Sequence, residues 1–288
     1  MPRFARVLLI FVALMLIGGA VLSWWLGSLL LQPAPTSMPE PPARLGAEPV
    51  EFETLDGRTI RAWWMPRDDA RAAIVLAHGR GGARLAMVSR AEVLAAEGYA
   101  TLALDLQGHG ESPGERITLG LLESEDLRAA VAFAAERTPG RPVGLIGVSL
   151  GGVGALVADP PLEIDAAVLE SVYATVPLAV GARTRQALGP LGRVAAWALL
   201  AQVPARLGAS LRRLNPTVGL GRYGFPILFM IGDLDHQTPL DSMREMHSEA
   251  PPGSELVVFP GVGHSSLLSA DKELWSAQTL EYLGARMP

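Results

Sequence analysis

The pentad Gly147-Val148-Ser149-Leu150-Gly151 sets one serine between two glycines at the end of a short apolar run. A serine hydroxyl is a poor nucleophile near neutral pH. It needs a histidine to take its proton, an acid to fix that histidine's tautomer, and donors for the developing oxyanion. A chain with 31 glycines yields a G-x-S-x-G match by chance about 0.2 times. The weight therefore falls on the partners.

The chain has five histidines. His78 and His109 precede the serine, His236 adjoins an acid, and His247 lies in "LDSMREMHSEA", where helical spacing suggests a surface position. His264 stands in the glycine-rich "PGVGHSSL" just after the last apolar run, and is the expected base. In the order Ser…Asp…His the acid lies between the two, where "MIGDLDHQTP" offers Asp233 and Asp235. Asp235 is favoured because it sits three residues past Gly232, clear of the strand end. Asp233 is expected to bond local backbone amides. Glu170 is a third candidate, or a residue that shapes the pocket.

Oxyanion donors are expected from backbone amides: Leu150, directly after the serine, and Arg80, within His78-Gly79-Arg80-Gly81-Gly82. The HGRGG segment is not a dinucleotide loop, because Arg84 stands where G-x-G-x-x-G requires glycine. It is not a P-loop, since Lys272 is the only lysine. No cofactor is expected. Asp233, Asp235 and His236 lack a further ligand cluster, so no metal site is expected either.

These residues need a scaffold, and the flanking pattern predicts one. Apolar runs at 72–79, 99–106, 143–148, 165–171, 225–232 and 254–260 read as strands, alternating with helical stretches at 83–98, 120–140 and 151–158. "PVEFETL" and "RTIRAWWMP" flank an Asp56-Gly57 turn and predict an opening antiparallel hairpin. Such alternation predicts an α/β fold, a mostly parallel, doubly wound sheet with helices on both faces. Ligands in these sheets bind beyond the carboxyl ends of the strands. Residues 173–224 break the alternation with an Ala/Leu-rich helical insertion carrying seven arginines and no acid, which reads as a cap.

At the amino terminus Arg3 and Arg6 precede an uncharged run, residues 7–31. As a helix it would rise about 37 Å, enough to cross a hydrocarbon core of about 30 Å. The expectation is an uncleaved membrane anchor over 1–31, a Pro-rich linker over 32–47 holding the rest off the membrane, and one catalytic domain over 48–288. Arginines on the amino-terminal side place that end in the cytoplasm and the catalytic domain outside it. A net charge of −5 argues against nucleic acid as a partner, and the absence of cysteine excludes thiolate chemistry.

HGRGG, "DLQGHGES" (105–112), GVSLG, "GDLDHQTP" and "GVGH" occur in the order and approximate spacing of the α/β-hydrolase superfamily, over about residues 48–286. The chain resembles most closely the amino-terminally anchored hydrolases labelled Bem46-like or serine-aminopeptidase-like. That resemblance implies Ser149 as nucleophile, Asp235 as acid and His264 as base. The family's D-x-R-G-x-G-x-S segment has Gln107 where arginine is common, so a replacement contact is expected there. The implied activity is a serine hydrolase acting on carboxylic esters of small-molecule or lipid-like alcohols and acids. A serine peptidase or aminopeptidase is the second reading, disfavoured by the acid-free cap. A non-catalytic scaffold is the third. The arginine-rich cap could rest on anionic lipid or form a solvated face.

Overall fold

In the computed structural model, which describes residues 2–288, eight strands build one sheet. They are β1 (Glu48–Glu53), β2 (Thr59–Met65), β3 (Ala73–Ala77), β4 (Ala100–Leu104), β5 (Val143–Val148), β6 (Ala166–Glu170), β7 (Leu228–Gly232) and β8 (Glu255–Phe259). Their order across the sheet is β1-β2-β4-β3-β5-β6-β7-β8. The β1–β2 and β2–β4 pairs are antiparallel and the other pairs parallel. The hairpin turn forms where expected, with Thr54 N–H donating to Arg58 O and Gly57 N–H to Thr54 O, both at 2.9 Å.

The helices are α1 (Arg3–Leu30), which stands off the sheet, then α2 (Val88–Ala96), α3 (Glu123–Arg137), α4 (Leu150–Val157), the insertion helices α5 (Val176–Leu188), α6 (Gly192–Leu200), α7 (Val203–Leu207) and α8 (Pro216–Leu220), and α9 (Leu240–Ser248), α10 (Leu267–Ala270) and α11 (Lys272–Arg286); those after α1 cover both faces. Every residue of β3, β4, β6 and β7 is buried, as a strand covered on both sides requires. Successive side chains feed opposite cores. Val75 and Ala77 join Leu127, Val153 and Leu156 on one face, while Ile74 and Leu76 join Met87, Leu94 and Trp275 on the other. The expected helix from residue 83 starts later, after a 3-10 turn at Arg84–Met87. There the Arg84 amide is held by Asp105 Oδ1 at 2.6 Å, which turns the chain before the helix can begin.

The insertion between β6 and β7 is helical, as its composition predicts. Thr175 and Asn215 cap α5 and α8 through their side-chain oxygens. Helix α8 sits directly on α4: a Cβ at Gly219 would lie 1.6 Å from Leu156 O.

Residues 32–42 run without a helix and end in a 3-10 turn at Ala43–Leu45, yet they do not hold the domain away from α1. Ile117 N–H donates to Leu31 O (2.8 Å), Ala34 N–H to Gly108 O (2.7 Å) and Thr36 N–H to Gly110 O (2.9 Å). Met38 N–H reaches Glu111 Oε1, and Leu45 is buried. The prolines keep the chain straight, and the amides between them find acceptors on the 108–111 loop instead of water. The carboxyl end of α1 rests on the cap. Gln202 donates to Ser23 Oγ (2.7 Å), Arg206 to Ser28 Oγ (3.1 Å) and Arg80 to Leu30 O (2.9 Å), while the Arg206 guanidinium lies 3.9 Å from the Trp24 ring centre.

Candidate active site

Ser149 occupies the sharp turn between β5 and α4 with φ 47° and ψ −107°. A non-glycine residue with φ in this range costs about 1–3 kcal/mol and persists only where its surroundings enforce it. Here they do so through main-chain bonds. Ser149 N–H donates to Glu170 O at 2.8 Å, and Ser149 O accepts from Val153 N–H at 2.9 Å. The glycines of the pentad answer to space. A Cβ at Gly147 would lie 2.6 Å from Gly152 N, and one at Gly151 2.6 Å from Ala77 O. Strand and helix can therefore meet only where no side chain intervenes.

Asp235 and His264 are brought together by their loops. Leu234 N–H donates to Val262 O at 3.0 Å, and Asp233 Oδ1 accepts from Gly261 N–H at 2.7 Å. A Cβ at Gly232 would lie 2.1 Å from Val262 O, so the crossing demands glycine there. His264 Nδ1 then stands 2.7 Å from Asp235 Oδ2. The other contacts of Asp235 are the Gln237 and Thr238 amides (2.9 Å each) and the Thr238 hydroxyl (2.5 Å). Burial pushes the Asp235 pKa up, but the His264 and Thr238 hydrogen bonds outweigh it and hold the group below its ordinary value. An ionised Asp235 only accepts, so His264 Nδ1 is the donor in this bond and Nε2 is the ring nitrogen turned away from the acid.

Ser149 and His264 line one cavity of about 340 Å³ with His78, Gly79, Arg80, Arg90, Ser171, Arg183 and Gln237 among its walls. The HGRGG loop abuts the serine: a Cβ at Gly79 would lie 3.3 Å from Ser149 Cβ. His78 pins that loop, bonding Gly79 O through Nδ1 (2.7 Å) and accepting the Leu106 amide at Nε2 (3.1 Å). Burial, and next the nearby His109, push the His78 pKa down to about 3, so the ring is neutral. Leu150 opens α4, where first-turn amides have no intrahelical acceptor.

The remaining candidates have other partners. Contrary to expectation, Asp233 bonds no amide of its own turn but that of Gly261 in the loop after β8, because the two loops cross there, while Asp235 accepts the amides of its own turn. His236 is exposed, and His247 bonds Ser254 O at 2.9 Å. Glu170 is buried in an ion pair with Arg90 (Nε to Oε1 2.7 Å) and accepts the Trp275 indole N–H at 3.0 Å. Gln107 finds its replacement contacts: its amide donates to Arg116 O (2.6 Å) and Glu123 Oε1 (3.1 Å), and Glu123 also holds Thr118 and Gly120. Sequence reasoning missed Arg90 and Arg183 as cavity residues. Each is one arginine in a helical stretch, and nothing in its local pattern marks the face it occupies. No cluster of three or more metal-ligating side chains is found among the described residues.

A profile of the serine aminopeptidase S33 family matches residues 68–218. The chain is 26% identical to the uncharacterized protein YfhR of Escherichia coli O157:H7 over 233 residues, covering 77% of this chain and 75% of that protein. It is 38% identical to a monoacylglycerol lipase of Mycolicibacterium smegmatis over 116 residues, 39% of this chain and 41% of the lipase. An esterase of Pyrococcus furiosus superposes with a TM-score of 0.75 at 25% identity, covering 90% of this chain and 99% of the esterase.

Proposed function

Because the chain belongs to the serine aminopeptidase S33 family of α/β-hydrolases, we propose that it is a membrane-anchored serine hydrolase cleaving carboxylic esters. The observation that carries this reading is the His264–Asp235 hydrogen bond, held in a fixed cage at the cavity that exposes strained Ser149. Ser149 Oγ attacks the ester carbonyl while His264 Nε2 takes its proton. The oxyanion forms against the Leu150 and Arg80 amides, and its collapse expels the alcohol, protonated by His264. Water, deprotonated by the same nitrogen, attacks the acyl-enzyme and releases the acid. Asp235 stabilises the imidazolium formed at each step.

An aminopeptidase must hold a free ammonium group. The permanently charged side chains at the cavity wall are Arg80, Arg90 and Arg183, which favours esters over amino-terminal peptides. Labelling with a fluorophosphonate probe tests the reading. Wild type is expected to label and to hydrolyse p-nitrophenyl esters. Ser149→Ala should lose the label, and Asp235→Asn at least about 10³-fold in kcat. A label retained by Ser149→Ala refutes the assignment.

The anchoring rests on α1, the helix long and apolar enough to cross a membrane. Its 28 residues rise about 42 Å against a core of about 30 Å, leaving about eight residues outside. Residues 23–30 include those that meet the cap and the Arg80 loop. Arg3 and Arg6 favour a cytoplasmic amino terminus and an extracytoplasmic catalytic domain. With α6 packed against α1, exposed Leu188, Leu191, Val194 and Trp197 come to the level of the lipid interface.

A further inference from the structure

Three arginines enter the Ser149 cavity, and their partners differ. The Arg90 charge is met by buried Glu170. Arg80 is exposed and spends a guanidinium N–H on Leu30 O at the end of α1. Arg183, on α5, is half-buried and forms no ion pair among the described residues. Its single hydrogen bond is a long one, Nη1 to Ala179 O of its own helix at 3.4 Å. The groups that act on it electrostatically are the Tyr173 phenol, the Arg80 charge and Asp235, and both Asp235 oxygens are already occupied by His264, Gln237 and Thr238.

A second observation comes from the segment after β6. Ser171, just past β6, lines the same cavity with its backbone at φ 50° and its hydroxyl buried without a partner. Tyr173, two residues on, also has a buried hydroxyl without a partner. Buried polar groups are ordinarily satisfied, and each exception asks for a cause. A guanidinium without a counter-ion and a hydroxyl without an acceptor, on the walls of one cavity, share a complement: an anionic oxygen. Burial, and after it the neighbouring Arg80 charge, lower the Arg183 pKa, which a bound anion would reverse.

We propose that Arg183, together with the Ser171 hydroxyl, forms an anion subsite within the Ser149 cavity, so that preferred substrates are esters bearing a carboxylate or phosphate besides the scissile bond. This rests on the hydrolase reading and adds the substrate's charge to it. The subsite would accept the anion into the guanidinium fork and repel the ammonium of an aminopeptidase substrate.

The test uses the full chain in neutral detergent micelles with matched ester pairs. One soluble pair is mono-p-nitrophenyl glutarate against p-nitrophenyl pentanoate. One lipid pair is a lysophosphatidate against the uncharged monoacylglycerol of equal chain length. Wild type is expected to favour the anionic member of at least one pair by about tenfold to a hundredfold in kcat/KM, chiefly through KM. Arg183→Gln should abolish that preference while changing the neutral ester far less. Arg183→Lys should restore part of it, and Arg185→Gln, exposed on the same helix, should leave it intact. The responding pair identifies a soluble or a lipid source of the anion. No preference in either pair, or a preference that survives Arg183→Gln, overturns the proposal. Ligand-induced unfolding shifts keep the answer independent of turnover. Pentanoate should raise Tm more than uncharged pentanamide in wild type but not in Arg183→Gln, and equal shifts in wild type would refute the subsite. Hydrolysis of neutral esters without any charge preference would sink the subsite and leave the hydrolase reading standing.

Discussion

The arginines of the sheet domain and those of the cap are used in opposite ways. In the domain, Arg58 pairs with Asp126, Arg84 with Asp105 and Glu111, and Arg90 with Glu170, each acid buried or held at a loop near the cavity. In the cap, only Arg222 has an acid, Asp159 at 3.5 Å, among the described residues. Arg206 and Arg213 bind main-chain carbonyls instead, at Trp24 and Val157, and Arg183 has no charged partner. The paired arginines fix loops and positions, while those of the cap bind main chain or have no charged partner among the described residues.

The largest effect should come from breaking a pair in the domain. Glu170→Gln leaves Arg90 as a buried, uncompensated cation and should cost about 3–5 kcal/mol. Arg213→Gln in the cap should cost no more than about 1 kcal/mol by comparison. Urea unfolding of both variants measures the contrast, and equal losses would erase the distinction drawn here.

His78 gives a pH signature of the same domain. Its pKa is about 3 when folded, against 6.5 for the free side chain. Between those values the unfolded chain binds the extra proton, so folding stability rises with pH across that window. Acidification from about pH 6 to 4 should therefore remove about 1.4 kcal/mol per pH unit through this residue. His78→Asn should flatten the slope of Tm against pH there, and an unchanged slope would assign the acid sensitivity elsewhere.

The smallest expected effect is on the cap's outer edge. Trp197 is 74% exposed, so Trp197→Phe should leave stability within about 0.5 kcal/mol. In proteoliposomes it should nevertheless remove a tryptophan emission component that brominated lipid quenches. If quenching by bromolipid is the same in both proteins, the cap does not sit at the interface.

Much of the scaffold was legible because it is written in short range. Apolar runs bounded by glycine specify buried strands. Helical spacing specifies their covers, and the pentad announces a strand-to-helix turn. The placement of Ser149, Asp235 and His264 just past strand ends followed from this. The linker is the counter-example. Its prolines favour extension, but whether such a segment points into solvent or along a loop depends on which carbonyls lie beside it, here those of Gly108 and Gly110.

From the sequence by itself came the order of elements, the helical insertion, the apolar amino-terminal helix and the residue types able to do acyl-transfer chemistry. All of these depend on spacing and composition within a few tens of residues. Only the tertiary structure decided that His264 bonds an acid 29 positions away, that Glu170 belongs to Arg90 rather than to His264, and that Arg183 enters the cavity unpaired. Those outcomes depend on which loops cross and which helix face turns inward. Long-range packing sets both, and no local pattern of residues encodes it.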